Sequence, residues 1–371
     1  MGRLTIITSL FIAIISIGFP IFISEAIGGW TRKFTSPVRF NPSNIPDLTD
    51  KVAIVTGANT GIGFHTALEL ARANAHVVVA SRSQAKGTAA VDKIREQVKD
   101  AKVQFLPLDL ASLKSVSKFA ELFTKLKLPL HMLILNAGVM KSPGEVFVGK
   151  SMNYGFETTE DGFEYHIGVN HIAHVHLTNL LLPKLKSSAP SRILSVSSIA
   201  EQNAPESGMK FQDWWVPKNG AMPSDYEDGL AYGQSKLANV MYARELSKAL
   251  NGTDISVYSL HPGIILTELG RYMEPELQKD VDGLGVIGSS FVKVFGALFQ
   301  AANFDSKGGA LTQLHLAVEE ESKLVNGGFY HPIGRHTDPS HPQALNETLA
   351  SVLWKETNAA IKMKSRYRFS T

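Results

Sequence analysis

Tyr232 and Lys236 stand one helical turn apart in the run Tyr232-Gly233-Gln234-Ser235-Lys236, a spacing that puts a phenol and an ammonium on one helix face. A free phenol titrates near pH ~10 and is a poor base at neutral pH, but a neighbouring ammonium favours its phenolate. The pair is therefore equipped to exchange a proton with a substrate oxygen. Far upstream, Thr56-Gly57-Ala58-Asn59-Thr60-Gly61-Ile62-Gly63 ends an apolar run with three glycines, a turn in which the backbone can approach a pyrophosphate. Ser197-Ser198 lies between the two motifs. Each has a bland explanation alone: Tyr and Lys at helical spacing are common on solvated faces, paired serines are common in loops, and glycines are common in turns. Their order along one chain gives them weight.

The elements that must position these residues alternate. Val52–Val55, His76–Ala80, Val103–Leu106, Met132–Leu135, Arg192–Val196 and Ile255–Leu260 read as six short apolar strands. Segments such as His65–Ala73 and Ser115–Leu126 carry apolar residues at helical spacing between them. Continuous apolar strands separated by helices imply a parallel sheet covered on both faces, a doubly wound α/β Rossmann fold. The glycine turn follows the first strand and opens the first helix, where exposed N–H groups and the helix dipole favour a phosphate.

The glycine spacing is G-x-x-x-G-x-G, different from the general dinucleotide fingerprint G-x-G-x-x-G. Together with Ser197-Ser198 and the Tyr-x-x-x-Lys motif it resembles the short-chain dehydrogenase/reductase family over about residues 50–361. Val169-Asn170-His171, the run Gly229 to Asn239 and the late Leu353-Trp354 are most similar to its retinol dehydrogenase and WW-domain oxidoreductase branch, although no WW-domain sequence precedes the fold. The resemblance implies an oxidoreductase interconverting a lipophilic alcohol and its aldehyde or ketone. In that reading Tyr232 is the acid/base, Lys236 also holds the nicotinamide ribose, and Asn170 supports a relay water. Ser198 bonds the substrate oxygen; Ser197 is adjacent, and the sequence does not separate the two. The cofactor positions implied are Gly57, Asn59, Thr60, Gly61, Ile62 and Gly63 in the turn, Asp109-Leu110 beside the adenine, and Asn136-Ala137-Gly138 bracing the sheet. Pro262-Gly263 followed by Thr267 resembles the nicotinamide-contacting turn. Between Ser198 and Tyr232 a long insertion carrying Trp214 and Trp215 departs from compact family members.

Cofactor choice rests on the end of the second strand. A carboxylate there would bond the ribose hydroxyls of NAD, whereas an arginine pairs with the 2′-phosphate of NADP. The chain reads Ala80-Ser81-Arg82, with Lys86 close behind and no carboxylate, so Arg82 points to NADP(H). The apolar stripe Ile287, Phe291, Val294, Phe295 and Leu298 follows Thr267. Core packing is the commonest origin of such a stripe. By resemblance the region lids the substrate pocket, which extends the reading to retinoid-, steroid- or fatty-aldehyde-like substrates. His166, His171, His174 and His176 crowd Asn170 without one shared helical face or an accompanying carboxylate cluster, so no metal site is expected.

At 371 residues with 44% hydrophobic content the chain can bury a large core, and it has no cysteine, which excludes disulfides and thiolate chemistry. A net charge of +3 gives no reason to expect a nucleic-acid partner. Leu4–Ser24 is free of charge and, as a helix, would span roughly 30 Å, the thickness of a bilayer core. Residues 1–28 are read as a membrane anchor, with a cleaved signal peptide as the competing reading because Ser24-Glu25-Ala26 imitates a cleavage site. Residues 29–49 form a linker, 50–361 the catalytic domain and 362–371 a basic tail. Arg32, Lys33 and Arg39 after the apolar segment lean toward a cytosolic domain on the endoplasmic reticulum or another internal membrane. The expected partners are the lipophilic substrate, the membrane and a second copy in a homodimer. A tethered NADP(H)-binding scaffold or sensor is the competing function, and the complete Ser/Tyr/Lys set argues against it.

Overall fold

The computed structural model describes residues 40–140, 156–263, 265 and 304–366. The Leu4–Ser24 segment, Thr267, the stripe from Ile287 to Leu298 and residues 367–371 lie outside this set. Among the described residues no helix is long and apolar enough to cross a membrane.

Strand β1, Val52–Thr56, is buried along its whole length, as a strand must be when both sheet faces are covered. It is followed by α1 (Gly61–Arg72), β2 (His76–Ser81), α2 (Gln84–Gln97), β3 (Val103–Pro107), α3 (Leu113–Lys125) and β4 (Met132–Leu135). A single turn, Tyr165–Ile167, and a π-helical turn, Gly168–Ile172, lead into α4 (Ala173–Ser187). Next come β5 (Ser191–Val196), a 3₁₀ turn at Ile199–Asn203, α5 (Phe211–Trp215), α6 (Asp228–Ala249) and β6 (Ile255–Leu260). After the undescribed stretch, α7 (Ser306–Val318), β7 (Phe329–His331), β8 (Arg335–Thr337) and α8 (Glu347–Arg366) complete the described chain.

The strands form one sheet in the order β3-β2-β1-β4-β5-β6-β7-β8, parallel except for the β7–β8 pair. Chain direction across the sheet reverses between β1 and β4, and their carboxyl ends open the crevice where such folds hold a ligand. Alternate strand residues feed opposite core layers. Ile54, Val78, Leu133 and Ile193 pack with Phe119, Phe123, Leu181 and Met241 on one face. Ala53, Val77, Ile134 and Leu194 pack with Leu68, Leu70, Ile94 and Leu314 on the other.

The six expected strands are present, each within one residue of its expected ends. Strands β7 and β8 were not anticipated: three residues each leave no periodicity to read. The last helix continues through Arg366, so part of the stretch read as a basic tail is helical. The insertion after Ser198 folds inward, with Trp214 and Trp215 both buried.

Helix α8 docks on α6 through a stacked Tyr242–Trp354 pair with ring centroids 5.6 Å apart. Leu353 beside it is 1% exposed. Truncating a buried leucine removes transfer energy and leaves a cavity, so Leu353→Ala is expected to cost about 2–5 kcal/mol in urea unfolding, with the midpoint lowered at unchanged slope.

Candidate active site

The glycine turn is shaped by conformation and by close approach. Gly57 and Gly61 adopt φ of 68° and 60°, the left-handed region that favours glycine. A Cβ on Gly63 would lie 2.5 Å from Asn136 Nδ2 and 2.7 Å from Gly57 O, so α1 can start this close to β1 only with glycine there. Thr60 is the N-cap of α1 but makes no side-chain cap bond, leaving the first N–H groups of a 12-residue helix directed at the crevice. Asn59, Gly61 and Ile62 are half-buried along it. Bare amides at a positive dipole end suit a pyrophosphate.

A buried polar network ties this turn to the end of β4. Asn136 Nδ2 donates to Thr56 O at 2.8 Å, and Gln313 Nε2 on α7 donates to Asn136 Oδ1 at 2.9 Å. Ala137 N donates to Thr56 Oγ1 at 2.9 Å. A Cβ on Gly138 would stand 3.2 Å from Lys236 Nζ, so the backbone at 138 borders the ammonium. Arg82 is exposed immediately beyond β2, and Ser83 next to it caps α2 by accepting from Lys86 N. Asp109 spends its carboxylate on the Ala111 amide, and Leu110 is in the core. Pro262 is buried and Gly263 has φ of 101°.

Tyr232, Lys236, Ser198 and Asn170 converge. The Tyr232 phenol lies beside the Ser198 hydroxyl; burial pushes it up to about 12, with the neighbouring serine pulling the other way. Burial pushes the Lys236 ammonium down to about 8. Its Nζ donates to Val196 O at 3.1 Å and lies 5.7 Å from the centre of the Tyr232 ring. The two serines have different surroundings. Ser197 is buried and donates to Lys236 O at 2.7 Å, whereas Ser198, half-buried, carries the phenol contact. Asn170 sits in the π-helical turn, a distortion frequent at functional sites. Its Oδ1 accepts from Val139 N at 2.8 Å, and its Nδ2 donates to Val139 O at 3.0 Å and Ser235 Oγ at 2.9 Å. Ser235 in turn donates to Tyr232 O at 2.7 Å, so Asn170 grips the catalytic-helix candidate and the β4 exit together.

The four histidines near Asn170 go separate ways. His166 pairs with the Glu164 carboxylate, His171 with Asn239 and Thr357, His174 with Thr56 and the Asn170 carbonyl, and His176 with Ser117. Gln313, His174 and Ser235 were not singled out as site residues from the sequence. A glutamine set among Ala310, Leu311, Leu314 and Leu316, and a histidine at i+4 from Asn170, were the available signals.

Four findings about known proteins bear on this geometry. The short chain dehydrogenase family model matches residues 51–210. Retinol dehydrogenase 12 of Homo sapiens is 38% identical over 307 residues, 83% of this chain and 85% of the relative. Retinol dehydrogenase 13 of Homo sapiens is 39% identical over 321 residues, 86% of each. A crystal structure of a protein from Mycobacterium paratuberculosis shares the fold with a TM-score of 0.64 at 28% identity, covering 88% of this chain and 98% of that one.

The buried ammonium has a measurable consequence. Below pH 8 Lys236 is charged in both folded and unfolded chains, so its desolvation cost is fully present. Between about 8 and 10.5 the unfolded chain binds the extra proton, and wild-type stability rises relative to a variant without the group. Asn239 Nδ2 still donates to Val196 O at 3.2 Å if Lys236 is replaced. Lys236→Met is therefore expected to stabilise the cofactor-free protein by on the order of 2 kcal/mol at pH 7, the gain shrinking toward pH 10, as read by urea unfolding at both pH values.

Proposed function

We propose, for a chain that belongs to the short-chain dehydrogenase family and to its retinol dehydrogenase-like branch, that it interconverts a lipophilic alcohol and its carbonyl with NADP(H), using Tyr232 as the acid/base. At the coarser level it is an NAD(P)-dependent oxidoreductase of alcohols and carbonyls. The observation that carries the finer reading is the buried Tyr232 phenol next to Ser198, with the Lys236 ammonium 5.7 Å from the centre of its ring.

The residues of the crevice fit the cofactor. The pyrophosphate would rest on the amides from Asn59 to Gly63, the adenosine side near Arg82, Asp109 and Leu110, and the nicotinamide side near Gly138, Lys236, Pro262 and Gly263. The chemistry supplied by bound NADP(H) is transfer of a hydride to or from the carbon bearing the substrate oxygen. The chain handles the proton. A phenol held near 12 is protonated at neutral pH and so loaded as a donor to a carbonyl oxygen. Ser198 orients that oxygen by a second hydrogen bond, and the Lys236 charge stabilises the phenolate that remains. Tyr232→Phe keeps the ring and the cofactor turn but removes this proton, so turnover of a lipophilic aldehyde should be lost in a single-turnover assay while NADPH binding stays near wild type. Substantial reduction by this variant would refute the role.

The preference for NADP(H) is supported by Arg82, exposed beyond β2 in a stretch without a carboxylate. A guanidinium on a phosphate is a charge-assisted contact, so Arg82→Ala should weaken NADPH binding by about 1.5–3 kcal/mol and leave NADH binding little changed, measured by fluorescence titration. Equal losses for both would remove Arg82 from phosphate recognition.

The lipophilic substrate class goes with the proposal that Leu4–Ser24 anchors the protein in an internal membrane, supported by the length of that uncharged run. The full-length protein should then stay in the membrane fraction through high-salt and carbonate washing. Release by carbonate, or a mature chain starting near Ile27, would contradict the anchor.

A further inference from the structure

His174 lies on α4, 3% exposed, in a position that neither proton exchange nor the cofactor turn accounts for. Its Nδ1 is 3.0 Å from the carbonyl oxygen of Asn170, and its Nε2 is 3.1 Å from Thr56 Oγ1. A carbonyl can only accept, so Nδ1 carries the proton of this contact. Burial, with the nearby Lys236 charge adding to it, pushes the imidazole down to about 4 against the opposing pull of the Asn170 carbonyl, so at neutral pH the ring has one N–H. Nε2 is therefore an acceptor, and the Thr56 hydroxyl must donate to it. That commits the single Thr56 proton away from Ile134 O, which is 3.4 Å distant, and leaves Thr56 Oγ1 to accept from Ala137 N. The Asn170 carbonyl and the Ala137 amide fix the two ends of this chain of bonds, and the Nδ1 tautomer sets the direction of the Thr56–His174 bond between them.

We propose that His174 is a positioning residue that fixes the Asn170 carbonyl relative to the end of β1, holding the proton-delivery side of the site in register with the cofactor side. This rests on the reading of Asn170, Tyr232 and Lys236 as proton-handling residues. Two consequences separate it from general core packing. Without His174 the Thr56 end retains anchors, because Asn136 still donates to the Thr56 carbonyl and Ala137 to its hydroxyl. The Asn170 carbonyl, in contrast, loses a donor. The effect therefore falls on proton delivery and little on cofactor binding.

The test compares full-length wild type, His174→Phe and His174→Gln with NADPH and decanal, measuring kcat, KM, NADPH affinity, the solvent isotope effect on kcat and the melting temperature. It adds nitrogen NMR of ¹⁵N-histidine-labelled wild type to read the tautomer. Phenylalanine fills the ring volume without either hydrogen bond, and misplacement of this kind is expected to lower kcat by about 100-fold with KM and NADPH affinity little changed and a larger solvent isotope effect. Glutamine can donate through Nε2 and accept through Oε1, and should recover most of kcat. The NMR should show a neutral ring protonated at Nδ1. The inference is overturned by wild-type kcat in His174→Phe, by equal kcat losses in both variants accompanied by weaker NADPH binding, or by a proton on Nε2. If the phenylalanine variant does not fold, the glutamine variant and the tautomer decide the same question. A wild type with no turnover refutes the underlying enzymatic reading and this inference with it, whereas an active wild type with an indifferent His174 refutes this inference alone.

Discussion

Thr56 is the point on which the crevice is built. It ends β1 at the place where the sheet reverses direction, fully buried, and it must satisfy a carbonyl and a hydroxyl that water cannot reach. Asn136 takes the carbonyl, Ala137 and His174 take the hydroxyl, and Gln313 orients Asn136 from the far side. Because each of these partners is also buried or half-buried, the network permits few alternative arrangements, and half-satisfied versions would be costly. The turn at Gly57, the exit of β4 and the π-helical turn at Asn170 take their mutual positions from it. Gly63 allows the same closeness sterically, since its missing Cβ is what lets α1 lie against Gly57 and Asn136.

The second organising fact is electrostatic. Lys236 is 4% exposed and Tyr232 5% exposed, so both are held where their charged forms are disfavoured, and no carboxylate contributes to the shift of either. An ammonium kept at a desolvation cost beside a phenol kept protonated is unfavourable for stability, and groups perturbed in this way cluster at functional sites. The insertion that follows Ser198 supports this rather than covering it. Trp215 O accepts from Glu164 N at 3.0 Å, Tyr226 donates to the Glu164 carboxylate at 2.8 Å, and Lys210 N donates to Gln234 Oε1 on α6 at 2.5 Å. Trp215 and Tyr226 thus hold Glu164 at the start of the Tyr165–Ile167 turn, and Lys210 ties the insertion to the helix that carries Tyr232.

How much of this could be read in the residues follows from the range of each interaction. The six strands β1 to β6 were legible because burial on both faces writes an unbroken apolar run, and the Tyr-x-x-x-Lys pair because one helical turn is a local distance. The glycine turn was legible for the same reason. Ser197 and Ser198 could not be separated locally: which hydroxyl reaches the phenol depends on the twist of the chain leaving β5 and on the Lys236 carbonyl, which claims Ser197. The Thr56–His174 contact joins positions 118 residues apart and leaves no periodic trace. Around Asn170 the sequence offered four histidines as one cluster, and folding distributes them to four separate sets of partners. Strands β7 and β8 are too short for their pattern to emerge from the glycines that flank them.

The central claim is that this crevice brings a nicotinamide and a lipophilic carbonyl together for direct hydride transfer, with the proton supplied by the chain. Incubating the full-length protein with decanal and NADPH deuterated at the transferred position of the nicotinamide, followed by mass spectrometry of the alcohol, tests it most directly. The account predicts decanol with one deuterium on the carbinol carbon and none exchanged with water, at matched consumption of NADPH. Unlabelled decanol, or cofactor bound without any alcohol formed, would contradict it.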